Sequence, residues 1–542
     1  MMRRLVIRSL FVLALLFGLL YAVGIALLHR LNLPLSWALG FSATIVALQY
    51  LLGPYFIQWF FSIHWVEARD ISPELDVFLR DLCRSRGLRV PRMGLIEDGN
   101  PNAFTFGHLP SNARVVVTRG LVDALTPEEL HAVVGHEMGH VAHYDFLVMA
   151  LASVVPLFLY NIYQWTRRER NQATWVIALG AYAAYLLSQF GVLLLSRIRE
   201  FFADEHAVES VQDANAISRA LVKIAYGMAR LPREYPRGKE AKKDPSQRPG
   251  RVAMAGALGI GDMKAGGALA LATTEGDGNF SLERMGQAMR WDLWNPWARW
   301  YELFSTHPLV ARRVAAASRL ALERGQAPMV APLGAPPQDL WPAFFRELAI
   351  KLLPWIGIVA GLFLGNPHFR LGSVKGPFDL LFSGELHLGL MLLLAGMGLA
   401  VRMAYSYGGG FESAAVAGLL AQWGVSQVKG IPGELRGTIV GRGVPGLFWS
   451  KDLILQDDTG FITLVYRQPL AFLETLFGWR KAADLIGCEV TARGWYRRGP
   501  GPSFEVDDLL FGDGTRVGCY YRHGMWVLAA VLTLVGAALL VF

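Results

Sequence analysis

The stretch Thr126-Pro127-Glu128-Glu129-Leu130-His131-Ala132-Val133-Val134-Gly135-His136-Glu137-Met138-Gly139-His140 decides how this chain is read. Thr126 stands as an N-cap, Pro127 at the first helical position and Glu129 where it closes a capping box. From there Leu130, Val133, Val134, Glu137 and Val141 recur at helical spacing, so His136 and His140 share one face at i and i+4. Two imidazoles one turn apart can grip one Zn²⁺, with the carboxylate of Glu137 beside them. Gly135 and Gly139 cost helix propensity, and the usual reason to accept that cost is an element packed close against the helix. By composition alone, such a five-residue motif turns up in on the order of one in a hundred chains of this length, so its setting has to decide.

Working outward, Arg199-Glu200-Phe201-Phe202-Ala203-Asp204 follows about sixty residues later and offers a carboxylate as third ligand. Three protein ligands leave the fourth position open to water, which catalytic zinc needs and structural zinc does not. Spacing alone leaves Glu200 and Glu205 both open as that ligand, with His206 also nearby. His143 makes an H-x-x-H with His140, yet position 146 is Phe where a metzincin pattern requires histidine, so it is read as a neighbour of the site or a surface residue.

The chain has 542 residues, 53% of them apolar, and a mean hydropathy of +0.32. That excludes an ordinary soluble protein and implies several membrane spans joined to soluble parts. Leu5–Leu28 lies behind Arg3 and Arg4, is longer than a signal-peptide core and lacks a clear cleavage site, so it reads as a retained anchor. Further apolar runs at 35–61, 146–165, 174–195, 349–365, 386–401 and 525–542 bring the expectation to seven spans, the last two runs being the weakest. Basic residues beside spans account for the formal charge of +8 without nucleic acid. Cys83, Cys488 and Cys519 are far apart and form neither a zinc ribbon nor a disulfide framework.

The expected organisation is two N-terminal spans (1–61), a first part of a peptidase domain carrying the two-histidine helix (62–145), and a transmembrane hairpin (146–195). A second part with the third ligand (196–348), a second hairpin (349–401), a small β domain (402–524) and a terminal span (525–542) complete it. Each hairpin crosses twice, so the three soluble segments share one side, and the 146–195 hairpin returns Glu200 to the surface where His140 waits. Arg3 and Arg4 place that side in the cytoplasm, although the 166–173 loop would then carry three arginines outside. Asp70–Arg86 reads as a helix ended by Gly87, and 92–118 as a short β region. The 231–290 stretch, basic and proline-bearing and then Gly/Ala-rich, reads as a flexible loop or lid. Trp291, Trp294, Trp297 and Trp300 suit either core packing or an interfacial helix.

Between 424 and 512, alternating runs give three strands, a helix over 470–485 and two more strands, the order of an OB-fold barrel. Arg493, Trp495, Tyr496, Arg497 and Arg498 mix charge with aromatics there, but a docking or regulatory module is favoured over nucleic-acid binding. The fold class expected is a multi-pass α-helical membrane protein with a mainly α, zincin-like metallopeptidase domain carrying a small sheet, plus a C-terminal OB-like barrel.

At this point the chain resembles the HtpX-type membrane zinc metallopeptidases, which include the prenyl-protein (CAAX) endopeptidases. The matching pieces are Asn102-Ala103-Phe104, Thr118-Arg119-Gly120-Leu121, Leu125–Leu130 leading into His136–His140, Ser196–Asp204, and Ser305-Thr306-His307-Pro308. They cover roughly residues 1–320 in the expected order; the rest looks like an addition. The resemblance implies one Zn²⁺ per chain held by His136, His140 and Glu200, and so chooses Glu200 over Glu205. It implies Glu137 as general base, and Asp204 as a hydrogen-bond partner of a ligand imidazole. His307 and Arg313 take the places of oxyanion stabilisers, and Asn102, Ala103 and Phe104 those of a strand that pairs with extended substrate.

The function expected is therefore a membrane-embedded zinc metalloendopeptidase acting on membrane or misfolded proteins, in the inner (cytoplasmic) membrane with its site facing the cytoplasm. Its partners would be protein or peptide substrates and the lipid bilayer, with no nucleic acid; the sequence says nothing of oligomeric state. The alternatives are a CAAX-type prenyl-protein endopeptidase and, from another class, a non-enzymatic scaffold whose OB-like domain binds nucleic acid or a protein.

Overall fold

The computed structural model describes residues 35–61, 63–98, 101–167, 172–226, 282–365, 385–442 and 451–541. The expected first span at 5–28 and the 231–281 part of the expected lid lie outside the described residues, as do two arginines of the 166–173 loop. The chain divides into two compact units, Met1–Gly266 with Glu302–Leu333, and Gly267–Tyr301 with Gly334–Phe542.

In the first unit, helix α1 (Leu35–Phe60) leads into strand β1 (His64–Val66), three residues that no sequence pattern announced. The expected helix 70–86 is two, Ala68–Ile71 and Pro73–Arg86, split at Ser72. Pro73 pushes the residue before it out of the helical region, and Ser72 is extended at φ −159°. Gly87 ends the second helix in the left-handed region at φ 64°, the conformation that favours glycine. Strands β2 (Arg92–Ile96), β3 (Ala103–Phe106) and β4 (Arg114–Thr118) complete a sheet of order β1-β2-β4-β3, with β2 and β4 parallel and the other pairs antiparallel. That order leaves β3 as an edge. Its Phe104 and Phe106 pack with Phe61, Ile96 and Val116 in an apolar core.

Helix α2 (Pro127–Ala142) starts as its sequence dictates: Thr126 Oγ1 accepts from Glu129 N–H, and the Glu129 carboxylate accepts from Thr126 N–H. The chain then turns through Tyr144, in the left-handed region at φ 57°, into α3 (Asp145–Thr166). Helix α4 (Gln172–Ser210) runs for 39 residues without a break. At 1.5 Å per residue it is about 58 Å long, so against a bilayer core of about 30 Å roughly half of it extends beyond the membrane. That half lies against α2. A methyl group at Gly139 would stand 2.9 Å from Ala203 Cα, and one at Gly135 3.5 Å from Ala207 Cα. Helix α5 (Val310–Glu323) closes the unit.

In the second unit, α6 (Trp341–Gly365), α7 (Glu385–Ser406) and α8 (Tyr521–Val541) form a bundle in which Gly361 of α6 meets the backbone of Met391, and Gly536 of α8 that of Leu393. Strands β5 (Ile431–Arg442), β6 (Leu453–Asp457), β7 (Gly460–Val465), β8 (Glu489–Arg498) and β9 (Pro502–Phe511) close into a barrel, with helix 471–480 between β7 and β8. All neighbours are antiparallel except β7 and β9, and β8 seals the barrel by pairing with both β5 and β9. A short β10 (Arg516–Gly518) extends it from β9. Trp291 and Trp297 are fully buried, and Trp291 Nε1 donates to Val425 C=O, so these two are core, while Trp294 and Trp300 are half-buried.

Six described helices are long and apolar enough to cross a membrane: Leu39–Phe60, Asp145–Thr166, Val176–Ser210, Trp341–Leu364, Leu388–Ser406 and Tyr521–Val541. The fold class is that of a multi-pass helical membrane protein with a small sheet and a C-terminal five-stranded barrel.

The tight seam between α2 and α4 predicts that two glycines of one helix respond differently to alanine. Alanine brings up to about 1 kcal/mol of helix propensity. At Gly139 the backbone clash costs about 1–3 kcal/mol and wins. Gly139→Ala should lower the unfolding midpoint of the detergent-purified chain, while Gly135→Ala, whose methyl meets Ser210 Cβ at 3.3 Å, should move it little.

Candidate metal centre

The three expected ligands converge. His136, His140 and Glu200 each present one ligand atom, all within 4.8 Å of one another. His136 Nε2 and His140 Nε2 are 3.2 Å apart, and Glu200 oxygens stand 3.7 Å from each. A tetrahedral site with bonds of about 2.0–2.1 Å has edges of about 3.3 Å, so the triangle is spaced for one ion. Glu205 is exposed on α4, and His143 is the exposed C-cap of α2.

Each imidazole turns its other nitrogen to a carboxylate. His136 Nδ1 lies 3.0 Å from Asp204 Oδ1, and His140 Nδ1 lies 2.6 Å from Asp145 Oδ2. Because a carboxylate accepts, the protons sit on Nδ1, and the two Nε2 lone pairs face each other. Such an arrangement is repulsive without a cation between them. Formal charge says the same: Glu137, Glu200 and Asp204 are all buried, and among the described residues Arg313 is the one buried guanidinium on them, leaving two negative charges for a divalent ion to balance. Glu200 Oε2 is buried and accepts no hydrogen bond among the described residues, with Arg313 Nη1 3.1 Å away as an ion-pair partner. The donor set fits a divalent metal.

Around the ligands the chain supplies a frame. Glu137 is buried, and its Oε2 accepts from Thr105 Oγ1 of the edge strand at 2.5 Å. Arg313, wholly buried on α5, donates through Nε and Nη2 to both oxygens of Asp204 at 2.8 and 2.6 Å. Burial works against the charged form of Arg313, but Asp204 and Glu200 outweigh it and hold the group protonated well above the usual arginine range. His307 Nδ1 lies 3.1 Å from Glu200 Oε1, with part of its ring open to solvent. The turn before it is held from α4: Arg197 Nη1 donates to the carbonyls of Glu302 and Ser305, and Ser196 Oγ to that of Thr306. His206 Nδ1 donates to Gly135 C=O at 2.9 Å, tying α4 to α2.

Ala103 and Phe104 open β3, with Asn102 just before it and Thr105 next in the strand. Thr118 N–H donates to Asn102 C=O, and Phe104 turns its ring into the core. Two residues of the site went unread in the sequence. Thr105 follows directly on that triplet, and Asp145 is an acid at the first residue of an apolar span, a position where ionisable groups mark function. The Asp145 carboxylate also pairs with Arg199, which in turn donates to His143 C=O.

Comparison with known proteins now decides the family. The model of peptidase family M48 matches residues 72–321. A protease HtpX homolog of Methanothermobacter thermautotrophicus is 38% identical over 213 residues, 39% of this chain and 81% of that one. The chain belongs to peptidase family M48. A protease HtpX homolog of Moorella thermoacetica is 34% identical over 234 residues, covering 41% of this chain and 78% of its own. The crystal structure of S. mikatae Ste24p covers 40% of this chain and 57% of its own at 18% identity and a TM-score of 0.33, too slight a likeness to argue from. Membership of M48 makes the chain a metallopeptidase with protein or peptide substrates, and its apolar helices make it an integral membrane protein. Neither the prenyl-processing nor the scaffold alternative is favoured by these relatives. The match stops at 321, so the second unit's spans and barrel lie beyond it.

If Asp145 orients His140, Asp145→Ala should weaken metal retention by about 10–100-fold, read by chelator competition. Asp145→Asn, which keeps an acceptor for Nδ1–H, should fall between.

Proposed function

We propose that the chain is a zinc-dependent endopeptidase of the cell membrane, cleaving membrane-associated or misfolded proteins at the cytoplasmic surface in membrane protein quality control. The observation that carries this reading is the convergence of the His136, His140 and Glu200 ligand atoms beside a buried Glu137. Bound there, Zn²⁺ supplies Lewis acidity: it lowers the pKa of a coordinated water to around 7 and polarises the scissile carbonyl.

The remaining chemistry falls to this chain's own side chains. Glu137 takes a proton from the attacking water as the water oxygen bonds to the carbonyl carbon, and then delivers that proton to the amine nitrogen as the C–N bond breaks. Thr105 occupies one oxygen of Glu137 and leaves the other for that proton. Asp204 and Asp145 hold the imidazoles with their Nε2 lone pairs toward the ion. His307, partly open beside Glu200, is the donor for the oxyanion that develops on the carbonyl. Arg313 is fully buried and committed to Asp204 and Glu200, so its part is to position those carboxylates. The backbone of Asn102, Ala103 and Phe104 on the edge strand pairs with an extended peptide. Arg3 and Arg4 before the first apolar run support the cytoplasmic orientation.

The test is zinc content and casein cleavage by the detergent-purified chain, wild type beside Glu137→Ala and Glu200→Ala. Expected are about one zinc per chain in wild type and Glu137→Ala, cleavage falling at least 10²–10⁴-fold in the latter, and loss of both in Glu200→Ala. No zinc in the wild type, prepared without chelators, would overturn the reading.

A further inference from the structure

Within the second unit, a cavity of about 250 Å³ opens where α6, α7 and α8 meet the barrel. Its walls carry Lys351, Arg402, Arg467 and Arg497 against a single carboxylate, Glu505. That carboxylate is already answered: it accepts from Arg497 Nε at 2.5 Å and Tyr407 OH at 2.6 Å, with Arg467 Nη1 at 3.6 Å. Arg402 has no hydrogen-bond or ion-pair partner among the described residues, and Lys351 has only the face of Trp297, 5.1 Å away. The two cations are near enough to repel, and both are half-buried. Cations held this way await an anion.

The level of the cavity says which kind. Ser406 ends the apolar stretch of α7 and Tyr521 begins that of α8, and both line it, so it lies at the membrane-surface end of the bundle. Arg402 is one turn inward from Ser406, about 6 Å along the helix axis. Beside the two unpaired cations on the same helices, Val401 and Leu352 are exposed, as are Met397 and Trp355 one turn away, an apolar surface for acyl chains. The volume is below the roughly 300–1,000 Å³ of sites for drug-sized ligands, enough for a headgroup and too small for a nucleic-acid strand.

We propose that this cavity binds the phosphate headgroup of an anionic phospholipid, with Arg402 and Lys351 as its principal contacts. The site is separate from the metal centre and does not depend on the peptidase reading. The phosphate would sit between α6 and α7 under the barrel and stabilise the second unit in anionic membranes.

The experiment is a titration of the delipidated full chain in detergent with dioleoyl phosphatidylglycerol, dioleoyl phosphatidylcholine or inorganic phosphate, read as binding by native mass spectrometry and as a shift in unfolding midpoint. Phosphatidylglycerol should bind and raise the midpoint, and phosphatidylcholine should not. Arg402→Gln should weaken that binding about fivefold or more, Arg402→Lys should restore it, and Arg436→Gln, on the exposed barrel surface, should leave it unchanged. Should Arg402→Gln fail to fold, Lys351→Gln carries the same test. Equal effects of the two lipids, or an unaltered Arg402→Gln, would overturn the proposal; an equal shift from inorganic phosphate would replace the lipid by a soluble anion.

Discussion

The close approach of α2 to α4 is the constraint on which the peptidase unit depends. Gly135 and Gly139 repeat at four residues on one helix, Ala203 and Ala207 at four on the other, and the two small faces meet almost backbone to backbone. His206 adds a hydrogen bond from α4 to the Gly135 carbonyl. With the axes this near, a glutamate side chain suffices to carry Glu200 to the two histidines. A larger residue at 139 would part the helices and move the Glu200 carboxylate away from the two histidines, and in a catalytic site a displacement of about 1 Å can cost about 10²-fold. Helix α4 is also one continuous rod from its apolar stretch to Glu200, so no loop intervenes between that stretch and the carboxylate.

Electrostatics explains why so many charged groups can be buried there. Acid and base alternate: Arg199 pairs with Asp145, Asp145 faces His140 Nδ1, Asp204 faces His136 Nδ1, and Arg313 joins Asp204 to Glu200. Each buried carboxylate has a partner, and the charge left over suits a divalent ion. The same logic separates His307, with an open face, from Arg313, which has none. In the second unit Glu505 of the barrel is met by Arg497, Tyr407 and Arg467, and it is the excess of Arg402 and Lys351 beside them that stands out.

The sequence by itself determined the two-histidine helix, because helical periodicity and a capping box are local and leave His136 and His140 no choice of face. The barrel order was legible for a similar reason: strands and turn signals follow one another within ninety residues, each marked by alternation. So were the six described spans, since hydropathy over twenty residues is a sum and not an arrangement. Glu200 was not separable from Glu205 by spacing and needed the resemblance; on the folded helix one faces the histidines and the other faces solvent. Only the tertiary structure decided that Asp145 and Thr105 belong to the site, that the glycine face of α2 meets the alanine face of α4, and that Trp291 and Trp297 are core. Each of these is a contact between segments distant in the chain or turned by a single left-handed residue, Tyr144, and no local pattern encodes where such segments meet.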